Sequence, residues 1–285
     1  MKRVATLGEQ RSAAATGAMG RYALMTSGIG FLILLIALPL TAIFTRAYEG
    51  GLPAFWKAIS SPEAVFSLRY TLTLATATTV INAVMGTLVA YVLARQEFRG
   101  KSLVDSLVDL PIAIPASVTG FTLLLLYGPV GTIGGPLSDV GISIMFSFPG
   151  ILVAHLFMTF PYVVRAVGPV LQDSERGEEE AAQTLGASAL GVFRYVTFPA
   201  IQSALIVGSI FTFARSLGEF GATIMVSGNL ALRTQTAPLF IFSEFNAGNI
   251  EAASAMSVVL VLISFVLFFG LKFATGKLTL GRALQ

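Results

Sequence analysis

Long apolar runs dominate this sequence and leave few folds open to it. Six of them, each 21 to 26 residues long, recur along the chain: Tyr22 to Thr45, Tyr70 to Ala94, Leu107 to Tyr127, Phe148 to Val170, Ile201 to Val226 and Ala252 to Phe273. A helix needs about 20 apolar residues to cross the hydrocarbon of a bilayer. Backbone polar groups in lipid must be satisfied within the protein, and no alternating strand pattern is present. The sequence therefore predicts an all-α, polytopic membrane protein with six transmembrane helices.

Composition agrees with a chain whose surface is covered by membrane lipid. Hydrophobic residues make up 55% and charged residues 12% of the 285 residues, whereas soluble domains carry about 25% charged residues. The expected organisation is a mobile cytosolic tail over residues 1–21, a membrane domain over 22–276 and a cytosolic tail over 277–285. The first apolar run is longer than a signal-peptide core and lacks a clean cleavage site, so we expect a retained helix.

The distribution of Lys and Arg predicts the orientation. With both termini inside the cell, twelve of these residues fall on the cytosolic side, and the opposite side holds only Arg46, Lys57, Arg69 and Arg233. Such an excess is the positive-inside bias of multi-pass proteins in the cytoplasmic membrane. The excess of Lys and Arg over Asp and Glu therefore reflects the membrane topology. The sequence contains no basic patch with interleaved aromatic residues of the kind that binds nucleic acid.

The sequence lacks the residues needed for disulfides, thiolate catalysis, a metal site or a nucleotide-binding loop. The sequence has no cysteine, which excludes disulfides and thiolate catalysis, and its single histidine, His155, lacks a second metal ligand at helical spacing. We predict that His155 bonds to a neighbouring helix and that the chain binds no metal or cofactor. No phosphate-binding loop follows a strand, so an ATPase, if required, must be a separate chain.

The polar stretch from Leu171 to Ala200 is predicted to be a cytosolic loop carrying a docking helix. Glu178, Glu179 and Glu180 favour the start of a helix, where carboxylates meet the positive end of its dipole. Ala182 and Gly186, four residues apart, are expected to form a notch on that helix for another protein. Pro199 is expected to end the segment and to mark the entry to the fifth span.

The same loop carries a family signature. Glu180, Ala181 and Ala182 are followed by Gly186 and Pro199 in EAAQTLGASALGVFRYVTFP. This resembles the EAA motif of ABC importer permeases, with Val196 and Phe198 where the pattern has Ile and Leu. The stretches DLPIAIP (Asp109 to Pro115) and ARSLGEFGA (Ala214 to Ala222) resemble the sulfate/thiosulfate and molybdate/tungstate branch.

The resemblance implies a type I ABC importer permease with the MetI-like fold, importing a tetrahedral oxyanion. It also implies the partners: ABC ATPase subunits that bind ATP and Mg, a second permease chain, identical or homologous, and an extracytoplasmic oxyanion-binding protein. Sulfate or thiosulfate is favoured over molybdate or tungstate because of the long N-terminal region and the similarity of residues 214 to 242 to sulfate permeases.

Four residues are predicted to belong to the translocation pathway or its gate. Pro111 and Pro115 remove backbone hydrogen bonds from the third span, which should be bent or unwound there. Arg215 and Glu219 lie one helical turn apart in the fifth span. Intramembrane charges usually face a bundle interior or a pathway, so this pair is either a structural or gating ion pair or an anion contact through Arg215.

A membrane-embedded enzyme and an ATP-independent channel or ion-coupled transporter are the alternatives to an importer permease. A membrane-embedded enzyme requires paired catalytic groups, and His155, Arg165, Arg215 and Glu219 form no recognisable hydrolytic set. An ATP-independent channel or ion-coupled transporter would need neither the docking helix nor a partner ATPase. The sequence therefore favours the importer permease.

Overall fold

The chain folds entirely into helices and connecting turns wherever the structure describes it. The computed structural model describes residues 2–174 and 176–283, with side chains for 21–22, 24–174 and 177–270. The helices are α1 (Lys2–Ala47), α2 (Gly51–Ile59), α3 (Pro62–Arg95), α4 (Lys101–Ala113), α5 (Ala116–Tyr127), α6 (Gly134–Asp139), α7 (Phe148–Asp173), α8 (Arg176–Thr184), α9 (Ala189–Val192), a π-helical segment (Phe193–Thr197), α10 (Phe198–Leu217), α11 (Gly221–Ser227), α12 (Ala237–Asn246) and α13 (Ile250–Ala283). The all-α prediction is confirmed.

Five helical stretches in the described residues are long and apolar enough to cross a membrane. They lie in α1, α3, α7, α10 with the segment before it, and α13; the pair α4 and α5, bent by 110°, makes a sixth if it is counted as one span. Each overlaps one of the six predicted spans, but the predicted fifth, Ile201 to Val226, is not one helix, because α10 ends at Leu217 and α11 begins at Gly221. The structure adds shorter helices that hydropathy did not indicate, among them α2 and α12.

Three helices form the centre of the molecule. α3 and α10 both pack against α7, and two glycines bring the backbones close. A Cβ on Gly86 of α3 would stand 2.9 Å from Val163 Cβ, and one on Gly208 of α10 would stand 3.0 Å from Val163 Cα. Small residues permit such close approach between membrane helices, where dispersion contacts replace the hydrophobic driving force.

Polar side chains also join the central helices. Asn82 of α3 donates to Thr159 Oγ1 of α7 at 2.8 Å and to the Leu156 carbonyl oxygen at 3.2 Å. Because a buried amide without partners is costly, this pair of bonds fixes the α3–α7 register. Two apolar cores lie around this centre, one towards each end of α7; the first contains Leu93, Val163, Val167, Leu171 and Ile201, the second Leu74, Ile151, Met158, Ala222 and Val226.

The first helix lies at the periphery. α1 packs on α13, and the apolar stretch it contributes, Leu24–Ala47, buries none of its most apolar window inside the chain. An apolar surface of this size must be covered by lipid or another chain. α1 already begins at Lys2 and α13 continues to Ala283, so residues 2–21 and 277–283 of the segments expected as tails continue the terminal helices. Good helix formers such as Ala, Arg and Lys are frequent in both segments.

The prolines of the spans behave differently from one another. The third span breaks at Ile114 and Pro115, whereas Pro111 lies buried inside α4 without breaking it. The lack of an N–H in proline predicts similar interruptions of the fourth span at Pro161 and Pro169, but α7 runs without a break through both. α7 is enclosed by α3 and α10, and tertiary packing there outweighs the lost hydrogen bonds.

Candidate functional site

The loop predicted over residues 171–200 projects two short helices from the bundle. α8 begins at Arg176 with Glu178 and Glu179 in its first turn, as expected from the helix dipole. α9 follows after a turn, capped by Ser188, whose Oγ accepts the Gly191 N–H at 3.2 Å. Glu180, Ala181 and Gly186 are exposed and Ala182 is half-buried. The signature residues thus lie on an accessible surface.

Gly186 does not form a notch within one continuous helix, and that prediction is wrong. It has φ +88° and lies in the turn after α8. The Gly186 N–H donates to the Gln183 carbonyl at 2.9 Å and the Ala187 N–H to the Ala182 carbonyl at 3.0 Å. This pair of bonds is the Schellman motif, which satisfies the last carbonyls of a helix and favours glycine. Gly186 therefore ends α8 and turns the chain into α9.

Large apolar side chains are exposed on both sides of this turn. Leu185 is 89% exposed, Leu190 75% and Tyr195 76%, and the Arg194 guanidinium lies 5.9 Å from the Tyr195 ring centre. We call Leu185, Leu190 and Tyr195 the loop patch. Three large exposed apolar side chains in so short a stretch make this loop a candidate interaction surface.

Pro199 lies at the start of the fifth span, as expected, but it does not end the helix that precedes it, which corrects the other half of that expectation. α9, the π-helical segment and α10 follow one another without a gap, and Pro199 occupies the first turn of α10. The Phe198 N–H bonds to the Phe193 carbonyl, five residues back. A π-helical turn of this kind re-routes the hydrogen bonds just before the proline, which has no N–H to donate. The loop is thereby continuous with a membrane span.

Arg215 and Glu219 form the predicted ion pair, but on two different elements. α10 ends at Leu217, and Glu219 lies in the break before α11. Glu219 Oε2 is 2.6 Å from Arg215 Nη1; the glutamate side chain is fully buried and that of Arg215 is 33% exposed. Glu219 Oε1 also accepts the Ala222 N–H at 2.8 Å. The carboxylate thus satisfies the start of α11 and the charge of α10 together.

His155 holds the same break from the side of α7. Its Nδ1 is 2.7 Å from Ser216 Oγ and its Nε2 is 2.9 Å from Thr223 Oγ1. The ring is buried, so both nitrogens find their partners inside the protein. The prediction that His155 bonds to a neighbouring helix is confirmed, and its two partners flank the break.

The two broken spans meet one another. α5 packs against α11, where a Cβ on Gly120 would stand 2.6 Å from the Ala222 carbonyl oxygen and one on Gly221 would stand 2.8 Å from Ala116 Cβ. Ala116 follows Pro115, and Gly221 lies two residues after Glu219. The contact between Ala116 and Gly221 thus places the break at Pro115 next to the break that contains Glu219.

Two charged clusters were missed by the sequence analysis. Arg165 of α7 donates Nε and Nη2 to the two carboxylate oxygens of Asp109 at 2.7 and 2.8 Å, and Nη1 to Asp105 Oδ1 at 2.7 Å. The i, i+4 spacing of the two aspartates on α4 was a usable signal, because an arginine inside a span needs such partners. The second cluster pairs Arg95 Nη2 with Glu179 Oε1 at 2.9 Å, and no local pattern indicated it.

Comparison with known proteins gives the same fold and a family. Residues 82–276 match the family described as "Binding-protein-dependent transport system inner membrane component". The sulfate transport system permease protein CysT of Salmonella typhimurium is 39% identical over 242 residues, 85% of this chain and 87% of that protein. CysW of a Synechocystis strain is 39% identical over 246 residues, 86% of this chain and 89% of that protein.

A solved structure supports the architecture at lower sequence identity. It is the crystal structure of a bacterial ABC transporter involved in import of the acidic polysaccharide alginate. One of its chains aligns with a TM-score of 0.76 at 16% identity, covering 90% of this chain and 95% of that chain. At this identity the similarity concerns the fold.

Proposed function

This chain belongs to the family of inner-membrane components of binding-protein-dependent transport systems, and on that ground we propose that it is the membrane permease subunit of an ATP-driven importer of sulfate. The observation that carries the proposal is the loop patch. It exposes large apolar side chains on a loop outside the bundle, next to the Glu180–Ala182 signature. A channel or an ion-coupled transporter needs no such surface.

Sulfate is favoured over molybdate and tungstate by the relatives. CysT and CysW are both named as permeases of sulfate transport systems and resemble this chain equally, at 39% identity. Because two differently named permeases match equally well, we propose that the second permease chain is a homologous one. We further propose an extracytoplasmic protein that binds the anion, which the family's dependence on a binding protein supports.

The loop patch is the surface that we propose for an ABC ATPase. Leu185, Leu190 and Tyr195 supply apolar and aromatic contacts of the kind that dominate interface energetics, and the exposed Glu180 supplies a charge. ATP and Mg belong to that partner, which makes this chain a transport subunit and not an enzyme. The arrangement requires the loop and both termini to lie in the cytosol.

The translocation pathway is proposed to pass beside the two broken spans. Pro115 breaks the third span next to α11, Pro111 packs in the helix just before that break, and Arg215 and Glu219 flank the break of the fifth span. Irregular backbone at membrane depth is tolerated where it lines a cavity or is buried in protein. Glu219 is buried, paired with Arg215 and bonded to the Ala222 N–H, which favours a structural or gating pair over a free anion contact at Arg215.

Transport in proteoliposomes tests the proposal. The chain would be purified with its ATPase and a second permease, and radiolabelled sulfate uptake would be followed with ATP inside the vesicles and the binding protein outside. We expect uptake to require both ATP and the binding protein, and excess unlabelled molybdate to compete weakly. Sulfate uptake at the same rate without ATP would overturn the assignment in favour of a channel or an ion-coupled transporter.

A further inference from the structure

Arg95, the last residue of α3, joins the ends of several helices. Its Nη1 donates to the Ser174 carbonyl oxygen at 3.3 Å, and its Nη2 donates to Ser174 Oγ at 2.7 Å and to Glu179 Oε1 at 2.9 Å. Only 6% of the arginine side chain and 12% of the glutamate side chain are exposed. Ser174 caps the end of α7 and Glu179 lies in the first turn of α8, so one guanidinium connects α3, α7 and α8.

The Glu179 carboxylate extends this connection to the other side of the loop. Its Oε1 also accepts the Thr197 hydroxyl at 3.1 Å, and Thr197 is buried at the end of the π-helical segment. The charges suit the helix ends on which they act. Arg95 lies at the carbonyl end of α7 and Glu179 at the amide end of α8, where each sign is favoured.

α8 has few other attachments to the bundle. Of its side chains from 177 to 184, those of Glu179 and Ala182 are half-buried and all the others are exposed. Its main packing partners are α9 and the π-helical segment, which are shorter than α8 itself. The pair with Arg95 is therefore the contact through which the orientation of α8 is fixed to α3. α3 in turn packs along α7 and α10 at the centre of the molecule.

We propose that Arg95 is a positioning residue which holds α8 against α3 and so transmits movement of the loop to the central bundle. The inference rests on the proposed function in so far as the movement is imposed by an ATPase docked on the loop patch. A buried, charge-assisted contact with several bonds is short and directional. It therefore ties the position of α8 directly to α3, in addition to the turn at Gly186 that connects α8 to α9.

Hydrogen–deuterium exchange on the full-length chain in lipid nanodiscs, without any ATPase, tests the anchor itself. Arg95→Gln leaves Glu179 buried without its cation, and we expect the amides of α8 to exchange about tenfold faster, because losing one member of a buried pair leaves the other uncompensated. Amides of α7 and α10 should be unchanged. Acceleration throughout the chain would show general destabilisation and overturn the inference, as would unchanged exchange in α8.

Lys101→Gln is the matched control. It removes a cation from the same α3–α4 turn, where Lys101 Nζ lies 2.7 Å from Glu97 Oε1 on the surface. Exchange of α8 should stay at the wild-type rate. If Arg95→Gln fails to insert, Glu179→Gln provides the second variant. Its amide oxygen still accepts from Arg95 and Thr197, and we expect about a threefold acceleration confined to α8; no acceleration would count against the anchor.

The assembled importer gives the functional readout. For Arg95→Gln we expect basal ATP hydrolysis within about twofold of wild type and loss of at least about tenfold in transport and in binding-protein-stimulated hydrolysis. Arg95→Lys, which keeps the charge but not the forked donors, should recover part of both. Wild-type coupling in Arg95→Gln would overturn the inference. If the wild-type chain itself carried no sulfate, the proposed function would fail while the exchange measurement still decided the anchor.

Discussion

Glu219 Oε2 lies 2.6 Å from Arg215 Nη1 although α10, which carries the arginine, ends between the two residues at Leu217. An i, i+4 pair is normally a feature of one helix. Here it spans a break, and its buried carboxylate also accepts one amide of the first turn of α11, the Ala222 N–H. The pair thus keeps α10 and α11 in a fixed relation.

Removing the arginine alone should therefore be more harmful than removing both charges. For Arg215→Ala we expect a loss of about 2 to 4 kcal/mol in the free energy of unfolding, somewhat below the value for fully buried pairs because the Arg215 side chain is 33% exposed. Transport should fall with it. Arg215→Ala combined with Glu219→Gln, which retains an acceptor for the Ala222 N–H, should recover assembly and part of the transport rate.

Unfolding in mixed micelles and sulfate uptake in proteoliposomes measure the two effects. Recovery of stability without recovery of uptake would assign Arg215 to the anion and not to a structural pair. An Arg215→Ala chain that transports at the wild-type rate would remove this residue from the mechanism altogether.

Gly186 is expected to respond to backbone conformation and not to side-chain size. A Cβ at this position would meet nothing within 4 Å, but φ is +88°, and most residues pay about 1 to 2 kcal/mol there. Asparagine tolerates the left-handed region better than alanine or valine. Anion-stimulated ATP hydrolysis should thus decrease in the order Gly186, Gly186→Asn, Gly186→Ala, Gly186→Val. A notch that must stay small would instead rank alanine above asparagine.

Leu185 should matter for association and not for folding. Because its side chain is 89% exposed, Leu185→Glu should change the free energy of unfolding by less than about 0.5 kcal/mol. Binding of the purified ATPase to the permease in nanodiscs should weaken at least about tenfold if the loop patch is the docking surface. Val130→Glu, at a fully exposed residue between α5 and α6, is the control. Equal affinity in both variants would exclude the loop patch.

His155 is expected to contribute stability through both ring nitrogens. His155→Leu leaves the Ser216 and Thr223 hydroxyls buried without this partner, at a cost of about 1 to 3 kcal/mol for each unsatisfied group. Adding Ser216→Ala and Thr223→Val should restore part of the loss, since replacing every polar partner by apolar groups can be nearly neutral. Thermal unfolding in nanodiscs measures this, and equal midpoints for wild type and His155→Leu would contradict it.

The positions of the membrane helices could be predicted from the sequence because lipid imposes a one-dimensional rule. A spanning helix must be apolar over about 20 consecutive residues, so hydropathy locates spans such as Phe148–Asp173, whose observed start agrees with the prediction. Hydropathy did not show the break after Leu217 within the predicted fifth span. The acidic start of α8 was likewise predictable, since the helix dipole acts within the first turn. The Glu180–Pro199 signature indicated the family from local spacing.

Proline and glycine were predicted less well because their effects depend on what surrounds them. Pro115 breaks its span, whereas Pro161 and Pro169 lie in an unbroken helix packed between α3 and α10. A glycine such as Gly186 can lie in a helix interior, where it lowers stability by about 0.5 to 1 kcal/mol relative to alanine, or in a turn with positive φ, where it brings no steric strain. The choice depends on whether the following residues can bond back to the helix, as Ala187 does to Ala182.

The polar contacts that hold the breaks and the loop were decided only by the tertiary structure. Their hydrogen bonds join residues that are far apart in the sequence. The separation is 60 residues between Arg165 and Asp105, 68 between His155 and Thr223, and 84 between Arg95 and Glu179. Sequence analysis could state that charges and an imidazole inside a membrane domain need partners. The packing of α3, α7 and α10 decides which partners these side chains take. The partners lie far apart in the sequence, and only the assembled bundle brings them within hydrogen-bond distance.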